Sequence, residues 1–373
     1  MSWKVSDSEP RSYEIRSVEP LLEGSALLSG GHVPGRRFVI LDNGVPPRWR
    51  DLLRSYFERH RVEVQIMELR GGESCKEMPV VMQIIERLET FQLDRRGEPI
   101  IVIGGGAVLD VGGFAASIYR RGVPYIRVPT TLLGYVDASV GIKTAINFGS
   151  LKNLIGTFSE PYLVLLDTGL FDSLPTREIS SGLGEILKLG FGCSTPLFRL
   201  LERQSNILEP RAFRTLGGRQ MLHLAIEVML RELRPNLRET DLWRVVDLGH
   251  TFSQAFEMVD NGNRLRHGEA VSLDVGISAV LAARRGLLPQ ADIARLARLT
   301  SRLGLPTTMP NVSSETLWCS VLERTRHRAG RQRIPLPRHL GECVFVDDVT
   351  ADELAAAIDA FPRAFSQPTF SRV

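Results

Sequence analysis

The stretch Ile101–Ala116, IVIGGGAVLDVGGFAA, decides the fold. It opens on a β-branched apolar run with the makings of a buried strand, turns on Gly104, Gly105 and Gly106, and continues with helical spacing. Successive glycines let backbone amides come close to a pyrophosphate, and a helix start adds partial positive charge. The spacing is not the one-three-six glycine pattern of dinucleotide sites, so the same residues also read as a tight structural turn. Asp42, ending an earlier apolar run, adds a carboxylate that can accept from ribose hydroxyls of a nicotinamide cofactor.

Working outward, strands are expected at Arg37–Asp42, Val62–Leu69, Pro99–Ile103, Tyr125–Val128 and Tyr162–Leu166, with helices at Trp49–His60 and Met78–Phe91. Strands alternating with helices imply a parallel sheet with crossover connections. After Pro175 helical periodicities dominate, at Ser180–Phe191, Arg219–Leu233, Asp241–Met258, Gly268–Arg285 and Gln290–Leu303. The expected organisation is an NAD-binding α/β domain over 1–175 and a mostly helical metal- and substrate-binding domain over 176–373.

Composition narrows the function classes. The 373 residues carry 46 basic and 43 acidic side chains, a net charge of +3, which gives no footprint for nucleic acid. The long apolar stretch Pro99–Tyr119 is cut by Asp110 and five glycines and does not suit a membrane span. The start, MSWKVSDSEPRSYEIRS, lacks the apolar run of a secretory signal. Cys75, Cys193, Cys319 and Cys343 have no paired spacing, so a reducing cytoplasm is the expected compartment.

Among the basic residues only five are lysines: Lys4, Lys76, Lys143, Lys152 and Lys188. In so Arg-rich a chain, a persisting lysine reads either as a place where a compact point charge serves better than a planar fork or as chance survival, the reading taken for Lys4. Lys143 and Lys152 fall in PTTLLGYVDASVGIKTAINFGSLKNLIG, where Leu132, Val136, Val140 and Ile142 interleave with the charges. With Asp137, Asn153 and Lys188 they would make a site for phosphate and sugar hydroxyls. Arg120, Arg121 and the run Arg326, His327, Arg328 could add cations, although the latter run also reads as a solvated loop. Glu185, His250 and His267 form a ligand set for a catalytic divalent metal, two imidazoles with one carboxylate. Their separation in the chain is no local motif, and each histidine, flanked by glycine, also reads as a capping or core imidazole.

Taken in order, GGGAVLDVGGFAASIYRRG, VPTTLLGYVDASVGIKTAIN, KNLIG, GLGEILK, DLGHTF and HGEAV resemble the successive signatures of the sugar phosphate cyclases, typified by 3-dehydroquinate synthase. The resemblance runs from about residue 70 to about residue 345. It implies an N-terminal NAD-binding domain, a helical C-terminal domain and a homodimer. By resemblance, Glu185, His250 and His267 fall on the ligands of Zn²⁺, or of Co²⁺ in its place. Asp137, Lys143, Lys152, Asn153, Lys188 and Arg121 fall on substrate and phosphate positions. Gly104, Gly105, Gly106, Asp110, Thr130 and Thr131 fall on cofactor positions, joined by Asp42, by Glu73 and Lys76 of the GGESCKEM loop, and by Lys143 and Lys152.

The departures select a branch. Dehydroquinate synthases carry a Lys about 21 residues before the first histidine and an Arg seven before it; here stand Met229 and Trp243. Asp247 replaces their Asn before the LGH turn and is counted with the catalytic set. Losing both cations implies a substrate without the heptulosonate carboxylate. Sedoheptulose 7-phosphate is the matching seven-carbon sugar, and its cyclases include the 2-epi-5-epi-valiolone synthases, which SIYRRGVPYIRVPTTL, PNLRETDLWRVVDLGHTFS, HGEAVSLD with Asp274, LAARRGLL and RTRHRAGRQRIPLP also resemble. The implied reaction is a carbon–oxygen lyase cyclisation with phosphate elimination and NAD used catalytically. Gln254, in place of that branch's usual Pro, and Leu154, in place of a frequent Arg, keep 2-epi-valiolone or desmethyl-4-deoxygadusol open as products. 3-Dehydroquinate synthase and a metal-dependent alcohol dehydrogenase, which would release NADH, are the remaining readings.

Overall fold

The computed structural model describes residues 12–29, 35–149, 151–259 and 264–365; Lys4 and most of the N-terminal stretch read above lie outside them. The chain forms two compact units, Met1–Thr130 with Ala138–Gly169, and Thr131–Asp137 with Leu170–Val373.

In the first unit β1 (Glu14–Ser17), α1 (Leu21–Gly24), β2 (Arg36–Asp42), α2 (Pro47–Arg59), β3 (Glu63–Leu69), α3 (Met78–Phe91), β4 (Ile100–Gly104), α4 (Gly106–Ile118) and β5 (Tyr125–Pro129) precede a hairpin, β6 (Lys143–Phe148) and β7 (Leu151–Phe158), and then β8 (Leu163–Leu166). The sheet runs β1-β8-β5-β4-β2-β3 and every pairing is parallel. All residues of β4, β5 and β8 are buried, as the unbroken apolar runs require of strands covered on both faces. Phe38, Ile40, Val102, Val108, Val111 and Phe114 share one core with Val81, Ile84 and Leu88 of α3, each side chain contributing about 1.5–3 kcal/mol by leaving water. Asp42 and Gly104 end adjacent parallel strands, the edge where α/β sheets take ligands.

The second unit holds α5 (Thr176–Cys193), α6 (Thr195–Arg203), α7 (Leu216–Leu233), α8 (Ser253–Met258), α9 (His267–Arg284), α10 (Gln290–Arg302) and α11 (Ser314–Arg326), then the hairpin β9 (Ile334–His339) and β10 (Glu342–Val346), and α12 (Ala351–Phe365). α9 is buried on all sides from Gly268 to Ala282, as befits the central helix of the unit. It crosses α5 at two glycines: a Cβ on Gly184 would lie 2.3 Å from the Gly268 carbonyl oxygen, and one on Gly268 would lie 1.7 Å from that of Ser181. No other residue allows this approach. The helix expected over Asp241–Met258 is corrected: it is a single tight turn at Val245–Asp247, then Gly249 at φ +80°, then the short α8. Leu248, Phe252 and Phe256 are buried at helix-like spacing without a continuous helix. Among the described residues no helix is long and apolar enough to cross a membrane.

Candidate active site

In the second unit, α5 supplies Glu185, α9 supplies His267 at its first position, and the turn after Gly249 supplies His250; one ligand atom from each lies within 4.8 Å of the others. His267 Nδ1 is 2.8 Å from Glu257 Oε1, which turns its Nε2 to within 3.3 Å of Glu185 Oε1. His250 Nδ1 lies 3.3 Å from the Leu248 carbonyl and its Nε2 lies 3.8 Å from the same carboxylate oxygen. Both imidazoles are thus oriented from behind, the arrangement that presents Nε2 to a metal. Glu185 is fully buried, yet neither of its oxygens has a partner of hydrogen-bond geometry, although Lys188 Nζ lies 2.5 Å from Oε2. A buried carboxylate whose Oε1 faces two Nε2 atoms fits a divalent cation such as Zn²⁺.

The electrostatics follow from burial. Desolvation opposes ionisation of Glu185, but the Lys188 ammonium and the histidines outweigh it and hold the carboxyl well below its usual range. Burial would lower Lys188, while Glu185 and Asp137 hold its ammonium above the usual range, so it is a hydrogen-bond donor and not a base. Burial and the Lys188 charge push His250 down to about 3. Burial works the same way on His267, but Glu185 and Glu257 lift it to about 10. Asp247 lies 2.9 Å from Arg324 and 3.2 Å from Arg244, and also pairs with Arg328. Its burial would raise the carboxyl; the three guanidiniums overcome that and keep it ionised. Arg324, Arg244 and Glu257 were not legible as site residues. Arg328, in the run with a solvated-loop reading, is buried, whereas Arg326 and His327 are exposed.

In the first unit Asp42 accepts from the Gly44 amide at 2.9 Å and the Gly105 amide at 3.4 Å, so its carboxylate sits against the Gly104–Gly106 turn. That pairing of a strand-end carboxylate with a glycine turn opening α4 fits a dinucleotide. Thr130 is buried, its amide donating to Gly104; Thr131, on the second unit's side of the division, caps the Gly134 amide. Lys76 is almost fully buried, with its ammonium 2.6 Å from Asp110 Oδ2 and bonded to Asn153 Oδ1. Asn147 links Glu73 (2.8 Å) to the Asn153 amide (2.9 Å), completing a network that docks the β6–β7 hairpin on the 73–76 turn. Lys143 and Arg121 are exposed and Lys152 is half-buried, with Arg121 at φ +68°. Leu154 is exposed, Gln254 is exposed on α8, and Met229 is buried in α7. Trp243 packs edge-on against Phe345 (5.3 Å) beneath the Arg333 guanidinium (5.5 Å).

Residues 66–181 match the family description 3-dehydroquinate synthase N-terminal, and residues 182–326 match 3-dehydroquinate synthase C-terminal. The chain belongs to this family of sugar phosphate cyclases. Within it, the chain is 42% identical to a 2-epi-5-epi-valiolone synthase from Actinomyces sp., covering 96% of this chain and 97% of the relative. It is 35% identical to the demethyl-4-deoxygadusol synthase of Trichormus variabilis, over 96% of this chain and 89% of that protein. A solved structure, the 2-epi-5-epi-valiolone synthase of Streptomyces hygroscopicus subsp. jinggangensis with NAD⁺ and Zn²⁺ bound, superposes with a TM-score of 0.92 at 37% identity over 97% of this chain and 99% of its own.

Proposed function

We infer that the protein cyclises sedoheptulose 7-phosphate to the seven-carbon cyclitol 2-epi-5-epi-valiolone, releasing phosphate, as a step in natural-product biosynthesis in the cytoplasm. The observation that carries this reading is the full-length likeness to 2-epi-5-epi-valiolone synthases, in sequence and in structure. The residues agree with it: Met229 puts an apolar, buried side chain where dehydroquinate synthases use a cation, and the cations near Asp247 are already committed to its carboxylate. A substrate carboxylate has little to bind there.

Glu185, His250 and His267 would hold Zn²⁺ or Co²⁺, and Asp42, Glu73, Lys76, Gly104–Gly106, Asp110, Thr130 and Thr131 would hold NAD. When bound, NAD would supply reversible hydride transfer and the metal a Lewis acid for substrate oxygens. Lys188, held as an ammonium, donates to a substrate oxygen next to the metal ligands. Asp247, held as a carboxylate, accepts from a substrate hydroxyl. Asp137 completes the sugar contacts. Lys143, Lys152, Asn153 and Arg121 orient the phosphate, and Lys143 and Lys152 also serve the dinucleotide. Subtracting phosphoric acid from the sugar phosphate leaves the cyclitol, so no external reductant enters the balance. Gln254, exposed four residues after His250, favours as a second reading a different product, 2-epi-valiolone or desmethyl-4-deoxygadusol, from the same substrate. Incubation of the purified protein with sedoheptulose 7-phosphate, NAD⁺ and Zn²⁺, with the product analysed by nuclear magnetic resonance, is expected to give 2-epi-5-epi-valiolone. Turnover of 3-deoxy-arabino-heptulosonate 7-phosphate in its place would refute the substrate assignment.

A further inference from the structure

Asp274 is fully buried two turns along α9 from His267, and no step above uses it. A carboxylate is costly to bury without hydrogen bonds. Its Oδ2 accepts from the backbone amides of Phe252 and Ser253, the latter at 2.9 Å, and Ser278 Oγ donates to its Oδ1 at 3.3 Å. Those two amides stand where α8 begins and have no acceptor inside their own helix. The turn they close carries His250. It starts at Asp247, whose carbonyl accepts the His250 amide at 3.0 Å, and Arg324 donates to the His250 carbonyl. At its middle, a Cβ on Gly249 would lie 2.8 Å from Val271 Cγ1 and 3.0 Å from Val275 Cγ2, so the turn rests on the same face of α9 as Asp274.

We propose that Asp274 is a positioning residue that ties the turn bearing His250 to the helix bearing His267, so that α9 sets the spacing of both imidazoles. This rests on the reading of Glu185, His250 and His267 as metal ligands. It explains why a charged group occupies a position on α9 that packing alone would give to leucine. The second oxygen, bonded to Ser278, fixes the carboxylate's rotation and keeps Oδ2 aimed at the two amides.

The test is Co²⁺ binding to the full-length protein after chelation, read from the visible absorption of the bound ion, for the native chain and for D274N, D274S and D274L. Asn keeps an oxygen for both amides and gives its NH₂ to Ser278, so D274N is expected to bind within about twofold of the native chain. Ser and Leu lose one or both amide contacts, and outer partners of metal ligands are typically worth about 10–100-fold in affinity, so D274S and D274L are expected to bind at least about tenfold more weakly. A merely structural role would lower the melting temperature of both and leave the Co²⁺ affinity of the folded protein unmoved, and that result overturns the proposal. If D274L does not fold, D274S carries the comparison. Hydrogen exchange on the native chain gives a variant-free reading: protected Phe252 and Ser253 amides support the tie, and rapidly exchanging ones overturn it. A native chain that takes up no Co²⁺ overturns the ligand reading itself, an outcome distinct from variants that bind as well as the native chain.

Discussion

Replacing Lys188 by Met keeps the length and apolar stem of the side chain and removes only its charge. Lys188 Nζ stands 2.5 Å from Glu185 Oε2, with both side chains almost fully buried. Removing one partner of such a pair strands the other charge. Two unit charges about 4 Å apart at an effective dielectric of about 20 interact by about 4 kcal/mol, and breaking buried pairs typically costs about 3–5 kcal/mol. For a unit of roughly 200 residues each kcal/mol moves the melting temperature by about 2–4 °C, so K188M should melt about 6–20 °C lower by circular dichroism. Added Zn²⁺ gives the Glu185 carboxylate a new counter-charge and should recover a large part of that loss. Equal melting of K188M and the native chain after chelation, or the same loss with and without Zn²⁺, would show that the two charges do not depend on each other as described.

Three further outcomes follow from the same geometry. Burial pushes the thiols of Cys75 and Cys193 up to about 12 and that of Cys343 well above its usual range, so all three stay neutral at pH 8, while Cys319 is exposed; a thiol-reactive dye should label Cys319 alone in the native protein and all four in denaturant. G184A drives a Cβ to 2.3 Å from the Gly268 carbonyl oxygen and should cost about 1–3 kcal/mol by pushing α5 from α9, seen as a lower denaturation midpoint together with weaker Co²⁺ binding. D42N removes the charge that faces the Gly105 amide; hydrogen bonds to charged groups are worth about 1.5–3 kcal/mol, so NAD⁺ affinity by calorimetry should fall roughly 10–100-fold, and an unchanged affinity would remove Asp42 from the cofactor site.

The α/β half was legible because burial there is continuous. Met78–Phe91 has the bounds that its periodicity gave, the strand at Arg36–Asp42 starts one residue earlier than expected, and that at Ile100–Gly104 is shifted by one residue at both ends. Asp241–Met258 misled for the opposite reason: Leu248, Phe252 and Phe256 are buried at helical spacing, but the left-handed Gly249 lets an irregular segment bury them. The hairpin Lys143–Phe158 was not read as strands, since β7 leaves Leu151, Leu154 and Phe158 exposed and so lacks the alternation of a half-buried strand. Within the site, His250 and His267 stood out as two of only seven histidines, and they and Glu185 all lie in glycine-rich company. Glu257 behind His267 and Arg324 beside Asp247 did not, because nothing in the chain between them reports a contact made across the fold. Lys76 and Asp110 were picked by resemblance and Asn153 with the polar run around Lys143; their joining in one buried ion pair and hydrogen bond is visible only in three dimensions. Arg324 and Arg328, four apart in RTRHR, did carry the spacing of one helical face, which is the signal that a solvated-loop reading of that run passes over.

The most direct measurement follows phosphate release and NADH absorbance in one reaction of the protein with sedoheptulose 7-phosphate, NAD⁺ and Zn²⁺. A cyclase that returns its hydride should release one phosphate per sugar over many turnovers with no net NADH. NADH accumulating in step with sugar consumed, or sugar consumed with no phosphate released, would contradict the account.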